Sequence, residues 1–379
     1  MIIVVAPDSF KGNLTAVQVA DYIEKGIKQA GEDIQVIKIP VADGGEGTVE
    51  ALVTATSGRI YKKTVSGPLM GRIEAFYGIL GDGETAIIEM AAAAGLNLLA
   101  ENKRNPLETT TYGVGELILE VIEYGCKNIV LGIGGSCTND GGMGMAQALG
   151  VRFFSKEGRL LSQGGKHLKD VYSIDVSGMD MRIREIKIVV ACDVNNPMYG
   201  PNGATYIYGP QKGATSETLA YLDDGMMNYT ERIKDSLGID MADIPGSGAA
   251  GGLGGGLIAF AGALLQPGID IVIQHSKFDD IIKGADLLIT GEGKTDYQTA
   301  FGKVPVGLSC IASKYGVPVI CLSGGLGEGY ENIYEHGIDA AFSTITDAMP
   351  LHEAMGRSGS MLTQAAYAIT RLVRKIKYM

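Results

Sequence analysis

Six apolar runs in this chain stop, each at its carboxyl end, in a turn built largely of glycine, acids and amides. IIVVA (2–6) leads into Pro7-Asp8-Ser9-Phe10-Lys11-Gly12, and IQVIKIPV (34–41) into Ala42-Asp43-Gly44-Gly45-Glu46-Gly47-Thr48. NIVLGI (128–133) leads into a glycine-rich stretch that continues to Gly144, and IKIVVAC (186–192) into Asp193-Val194-Asn195-Asn196-Pro197. LLIT (287–290) gives Gly291-Glu292-Gly293-Lys294-Thr295-Asp296, and VPVICL (317–322) gives Ser323-Gly324-Gly325. At both ends of the chain these runs alternate with helical periodicity: 15–30 behind a Thr15 cap, 47–57, near 303–315, near 329–336 and about 351–376. Strands separated by helices imply a parallel, doubly wound α/β sheet. Open α/β sheets bind ligands at the carboxyl ends of their strands, where these turns fall.

The middle has another texture. Residues 60–90 alternate and turn often, as antiparallel hairpins do. The chain is also too long for one typical core. The expected organisation is therefore a discontinuous first domain, 1–58 plus 285–379, with 59–284 inserted as a second, mixed α/β domain.

Glycine, 55 of 379 residues, is about twice its usual share and has no repeat period, so it serves loops. The net charge of −11 leaves no basic face for nucleic acid. An anionic substrate must be drawn in by local Lys or Arg residues. The five cysteines form no CxxC pair, and the N-terminus lacks a basic segment before its apolar run. Both fit a reducing cytoplasm. Residues 246–269 carry no charge until Asp270 but begin GSGAAGGLGGG, which reads as a glycine-rich loop entering a short buried helix rather than a membrane span.

The clustered residue types suit phosphate and a hard cation. Glycine turns at helix starts offer N–H groups to anions. Lys11, Lys212, Lys294 and Lys303 supply point charges for phosphate. Asp8, Asp43, Glu46, Asp140, Asp193, Glu292 and Asp296 suit Mg²⁺ or a proton, although Asp8 and Asp43 are equally placed to cap helices. Standard motifs fail: Leu288 stands where a P-loop needs glycine, and no strand precedes Gly246-x-Gly248-x-x-Gly251. The four histidines have no metal spacing, and there is no G-x-S-x-G elbow.

DSFKG (8–12), ADGGEGT (42–48), GIGGSCTNDGG (132–142), CDVNNP (192–197), GPQKGA (209–214), PGSGAAGG (245–252) and TGEGKTDYQT..GK (290–303) together resemble the bacterial glycerate kinase family, in family order and over essentially the whole chain. Cys137, where the family suggests alanine, and Lys294-Thr295 depart from its pattern without removing a charge. The resemblance implies ATP-dependent phosphorylation of D-glycerate with Mg²⁺, usually to 2-phosphoglycerate. It also implies a flavodoxin-like domain joined to a mixed α/β domain, with the active site in a cleft between them. On that reading Lys11, Asp193 and Asp296 are catalytic, with Asp193 the first choice of base and Asp140 or Asp296 its competitors. Asp8, Ser9, Gly45, Ser136, Thr138, Asn139, Lys212, Gly291, Lys294, Lys303, Ser323 and Gly324 hold substrate or phosphate. Asp43, Glu46, Asp140 and Glu292 hold the metal. A homo-oligomer is left open. A kinase for another small hydroxy or sugar acid, or a non-catalytic protein that closes on a small acid, are the alternatives.

Overall fold

The computed structural model describes residues 1–42 and 44–378. The chain divides into two compact units: Met1–Asp43, Glu50–Ser57 and Ile269–Met379 form one, and Gly44–Val49 and Gly58–Gly268 the other.

The first unit is built on five parallel strands, in spatial order Gln35–Lys38, Ile2–Pro7, Leu287–Gly291, Val319–Ser323 and Ala340–Ser343. In chain order that is 2-1-3-4-5, the flavodoxin-like arrangement. Ile3, Val4 and Val5 are wholly buried, as a strand covered on both faces requires. The helix Ala16–Ala30 opens with a capping box in which Thr15 and Gln18 bond each other's backbone. It turns Val19, Ile23 and Ile27 inward, and the same core takes Leu362, Ala366 and Ile369 of the helix Leu351–Lys377. These two helices approach so closely at Gly26 that a Cβ there would strike the Thr363 carbonyl.

The second unit carries a six-stranded sheet, ordered Leu264–Gln266, Lys187–Ala191, Asn128–Gly132, Thr85–Glu89, Arg72–Ile79 and Arg59–Ser66. The first four are parallel, and the last two run antiparallel as the expected hairpins. The helix Tyr112–Tyr124 buries Val114, Leu117, Ile118 and Val121 in its core, and Phe153 stacks edge-on against Phe260.

Residues 269–284 belong to the first unit rather than to an insertion ending at 284. Packing explains the shift: Ile269, at the start of the helix Gly268–Ser276, presses on Gly307 in the helix Val304–Lys314. The glycine-rich run becomes the helix Ala249–Ala261, broken near its start by left-handed φ at Ala250 (54°), Gly251 (69°) and Gly252 (84°). A side chain at Gly251 would overlap Thr138 O, so this break lets the segment lie against the 138–141 backbone. No helix among the described residues is long and apolar enough to cross a membrane.

Candidate functional site

In a 2-1-3-4-5 sheet the strand order reverses between the first and third strands, and ligands bind outside the carboxyl ends there. Pro7 and Gly291 are register partners at that reversal, and Asp8 N donates to Gly291 O at 2.8 Å. The sequence Asp8-Ser9-Phe10-Lys11 and the sequence Gly291-Glu292-Gly293 therefore leave the sheet side by side. Glycine is needed where they crowd: a Cβ on Gly291 would overlap Leu322 O, and one on Gly324 would overlap Gly293 O. Asp8 Oδ1 accepts from Ser9 N at 2.6 Å. Phe10 and Leu14 pair across a tight turn, with Phe10 N donating to Leu14 O at 2.9 Å, and Lys11 stands exposed on that turn.

Beside this turn lies a buried polar cluster. Glu292 is 8% exposed; its Oε1 accepts from Thr299 Oγ1 at 2.6 Å and Thr295 Oγ1 at 3.4 Å, and its Oε2 lies 3.6 Å from Lys303 Nζ. Burial pushes the Glu292 carboxyl above the usual range, against the pull of Thr299 and Lys303. Thr295 and Ser323 share a 2.7 Å hydroxyl contact, and Gly324 N donates to Glu292 O. The structure thus gathers Glu292, Lys303, Ser323 and Gly324 in one place, with Thr295 and Thr299, which the sequence reading did not assign.

Two neighbours take other roles. Asp296 caps the short 3-10 helix Tyr297–Phe301: its Oδ1 accepts from Gln298 N at 3.0 Å, and its own N–H donates to Thr299. Its Oδ1 is thus engaged as the cap of that turn. Lys294 is exposed, 3.7 Å from Asp296, and joins no buried cluster.

In the second unit the strand Asn128–Gly132 runs into the 133–144 loop, and Gly132 and Gly134 abut the Gly44–Gly45 backbone. Thr48 Oγ1 donates to Gly45 O at 2.7 Å, while Glu46 is exposed. Asp43 lies outside the described residues. Asp140 is fully buried and accepts from Thr111 N (2.8 Å), Thr111 Oγ1 (2.9 Å), Thr110 Oγ1 (3.2 Å), Gly144 N (3.2 Å) and Gly142 N (3.3 Å). Burial raises its pKa while those donors lower it. A carboxylate enclosed by five protein donors organises the loop around it.

Thr138, Asn139 and Lys212 are also enclosed, at 0%, 0% and 1% exposure, so none of these side chains meets a ligand as the loop stands. Lys212 Nζ donates to Thr138 O at 2.7 Å, and Asn139 Nδ2 to Thr205 Oγ1 at 3.0 Å. Burial lowers Lys212 to about 8 and pushes the Cys137 thiol up to about 12. Ser136 lies at the edge of this interior, 7% exposed. Asp193 is exposed just beyond the end of Lys187–Ala191, and its Oδ1 accepts from Gly268 N at 2.9 Å. Two more residues carry no signal in the sequence: Glu89, buried beside Gly132, whose Oε1 accepts from Val49 N at 2.8 Å, and Arg104, just after the short 3-10 turn Glu101–Lys103. Among the described residues no three His, Cys, Asp or Glu side chains come together as a metal cage.

The model of the glycerate kinase family matches residues 3–374. The glycerate kinase of Halalkalibacterium halodurans is 51% identical over 364 residues, covering 96% of each chain. The glycerate 2-kinase of Escherichia coli K12 is 49% identical over 354 residues, covering 93% of each. A crystal structure named for glycerate kinase 2 of Salmonella typhimurium LT2 covers 100% of both chains at 45% identity, with a TM-score of 0.91. With the family model spanning nearly every residue and both folded units inside that span, the chain belongs to the glycerate kinase family and is an enzyme.

Proposed function

We propose that this enzyme transfers the γ-phosphoryl group of ATP to the 2-hydroxyl of D-glycerate, giving 2-phospho-D-glycerate and ADP. The observation that carries the reading is the pairing of Pro7-Asp8 with Gly291-Glu292 at the strand-order reversal, with an exposed lysine on the adjoining turn. A name of the same regiochemistry, glycerate 2-kinase, belongs to a relative 49% identical.

Phosphoryl transfer asks a protein mainly for positioning and charge neutralisation. On the first unit, Lys11, Ser9 and Gly291 face the phosphates, with Lys303, Ser323 and Gly324 behind them. Lys303 already stands 3.6 Å from Glu292, so a phosphate oxygen would replace one anionic partner with another. Asp193 takes the proton of the attacking hydroxyl as the oxygen–phosphorus bond forms and the bond to the β-phosphate oxygen breaks. Gly45 and Ser136 border the glycerate.

The donor set suits Mg²⁺. This ion keeps several waters and binds through one or two carboxylates together with substrate phosphates, so a three-acid cage is not required. Asp8 and Glu292, on adjacent strand ends and offering only oxygen, would hold it, with the exposed Glu46 the second choice. When bound, it neutralises phosphate charge. All five cysteines are free, in keeping with a cytoplasmic enzyme.

The test is ADP release from Mg²⁺-ATP by the purified protein. We expect release only with D-glycerate present, a product identified as the 2-phosphate, and loss of activity with a chelator. Turnover of a different hydroxy acid in place of D-glycerate would change the substrate while keeping the reaction class.

A further inference from the structure

Arginines in this acidic chain are accounted for, with one exception. Arg72, Arg152, Arg182, Arg232, Arg357 and Arg374 each pair with an acid. Arg59, Arg159, Arg184 and Arg371 are exposed and form no ion pair among the described residues. Arg104 is half-buried, and among the described residues its side chain makes no hydrogen bond or ion pair; its Nε is sealed from solvent with nothing to accept from it. A guanidinium partly withdrawn from water without an anion is costly, and such an orphan in a native structure calls for an explanation.

The surroundings of Arg104 point to what is missing. Its stretch is fastened to the glycine-rich loop, because Thr109 Oγ1 donates to Cys137 O at 2.9 Å and Thr110 and Thr111 hold Asp140. On its other side Gly213, left-handed at φ 93°, packs directly on the Arg104 backbone, and the preceding Lys212 holds Thr138 O. The Arg104 and Lys212 charges both act on the Cys137 thiol, which burial dominates. Two cations thus flank residues 137–139. Asp140 is consumed by its own five donors, and Glu108 is paired with Lys166 at 2.6 Å. The anion that balances Arg104 is not a side chain of this chain's described residues.

We propose that Arg104 is the carboxylate anchor of the substrate site, taking the glycerate carboxylate in a two-point hydrogen bond. The planar guanidinium fork matches a carboxylate in a way an ammonium does not, and it remains charged at every working pH. This inference rests on the glycerate reading above and makes Arg104 the residue that selects an acid over the corresponding neutral polyol or amide. It leaves Lys212 as the cation that shapes the loop from inside.

The experiment compares D-glycerate with D-glyceramide, which keeps both hydroxyls and replaces the carboxylate by a neutral amide. In the wild-type enzyme D-glycerate should be strongly preferred. Arg104→Met should raise KM for D-glycerate about 10- to 100-fold, the range for losing a charge-assisted hydrogen bond, and should shrink the preference over D-glyceramide by the same factor. KM for ATP should stay close to wild type, and Arg104→Lys should fall between. An unchanged KM and preference in Arg104→Met would overturn the proposal. Absence of wild-type turnover with D-glycerate would instead overturn the reading beneath it. Should the variants fail to fold, phenylglyoxal labelling of the wild-type protein gives the answer: D-glycerate should shield Arg104 from the reagent and D-glyceramide should not. Equal labelling with both would sink the anchor.

Discussion

Lys212 and Asp140 show how a residue can match a reaction by type and still work for the fold. Both stand in motifs where a kinase would use a lysine or an acid, yet both are enclosed and spent on holding the 133–144 loop. For Lys212 the enclosure has a measurable sign. Burial lowers its pKa from the usual 10.5 to about 8. Between these values the unfolded chain holds the proton that the folded one has released, so this group adds stability as pH rises from about 8 to 10.5. Below pH 8 it is charged in both states and its burial penalty is fully present. Melting curves of wild type and Lys212→Met should therefore diverge in the wild type's favour across that window. A stability difference that stays flat from pH 8 to 10.5 would show that the ammonium is not held as the structure has it. Burial state was not legible in the sequence, because GPQKGA gives no apolar run to announce that its lysine points inward. Arg104 was missed for a related reason: having no partner is a property of the folded surroundings, and ENKRNP looks like any exposed turn.

The elements themselves were easier to read. Ile3–Pro7, Leu287–Gly291 and Val319–Ser323 are buried end to end, so their sequences are largely apolar runs that no other placement would tolerate. The span 269–284 was harder. Its helices look alike whichever unit they join, and contacts such as Ile269 with Gly307 and Tyr315 with Asp279 decide between them. The 3-10 turn Tyr297–Phe301 was invisible to periodicity, and with it the role of Asp296. Asparagine caps as well as aspartate but takes up no proton. Asp296→Asn should therefore keep the turn and most of the turnover, within a few-fold of wild type, whereas Asp296→Ala should cost about 1 kcal/mol of stability. Steady-state kinetics with a thermal melt reads both. A fall of about 10²-fold or more in kcat for a normally melting Asp296→Asn would return that acid to the chemistry.

At the scale of the whole molecule, the chain carries 43 acidic and 32 basic residues, and 32 − 43 gives the net charge of −11. A negatively charged acid approaching such a surface is repelled until it comes within reach of the few cations that are not already paired. That repulsion is long-ranged only in dilute salt: the screening length is about 30 Å at 0.01 M and about 8 Å at 0.15 M. Contacts inside the site, such as the one assigned to Arg104, are screened far less than the field outside. Raising ionic strength over this interval should therefore help D-glycerate more than it hurts it. With Mg²⁺-ATP held saturating, kcat/KM for D-glycerate should rise a few-fold between 0.01 and 0.15 M salt, while that for neutral D-glyceramide stays level. A fall with salt for D-glycerate alone would mean that local cations, and not the net charge, set the potential along the approach. The two substrates differ at one group, charged in one and neutral in the other, so any shared salt trend belongs to the enzyme's conformation or to the nucleotide, and their ratio reports the field.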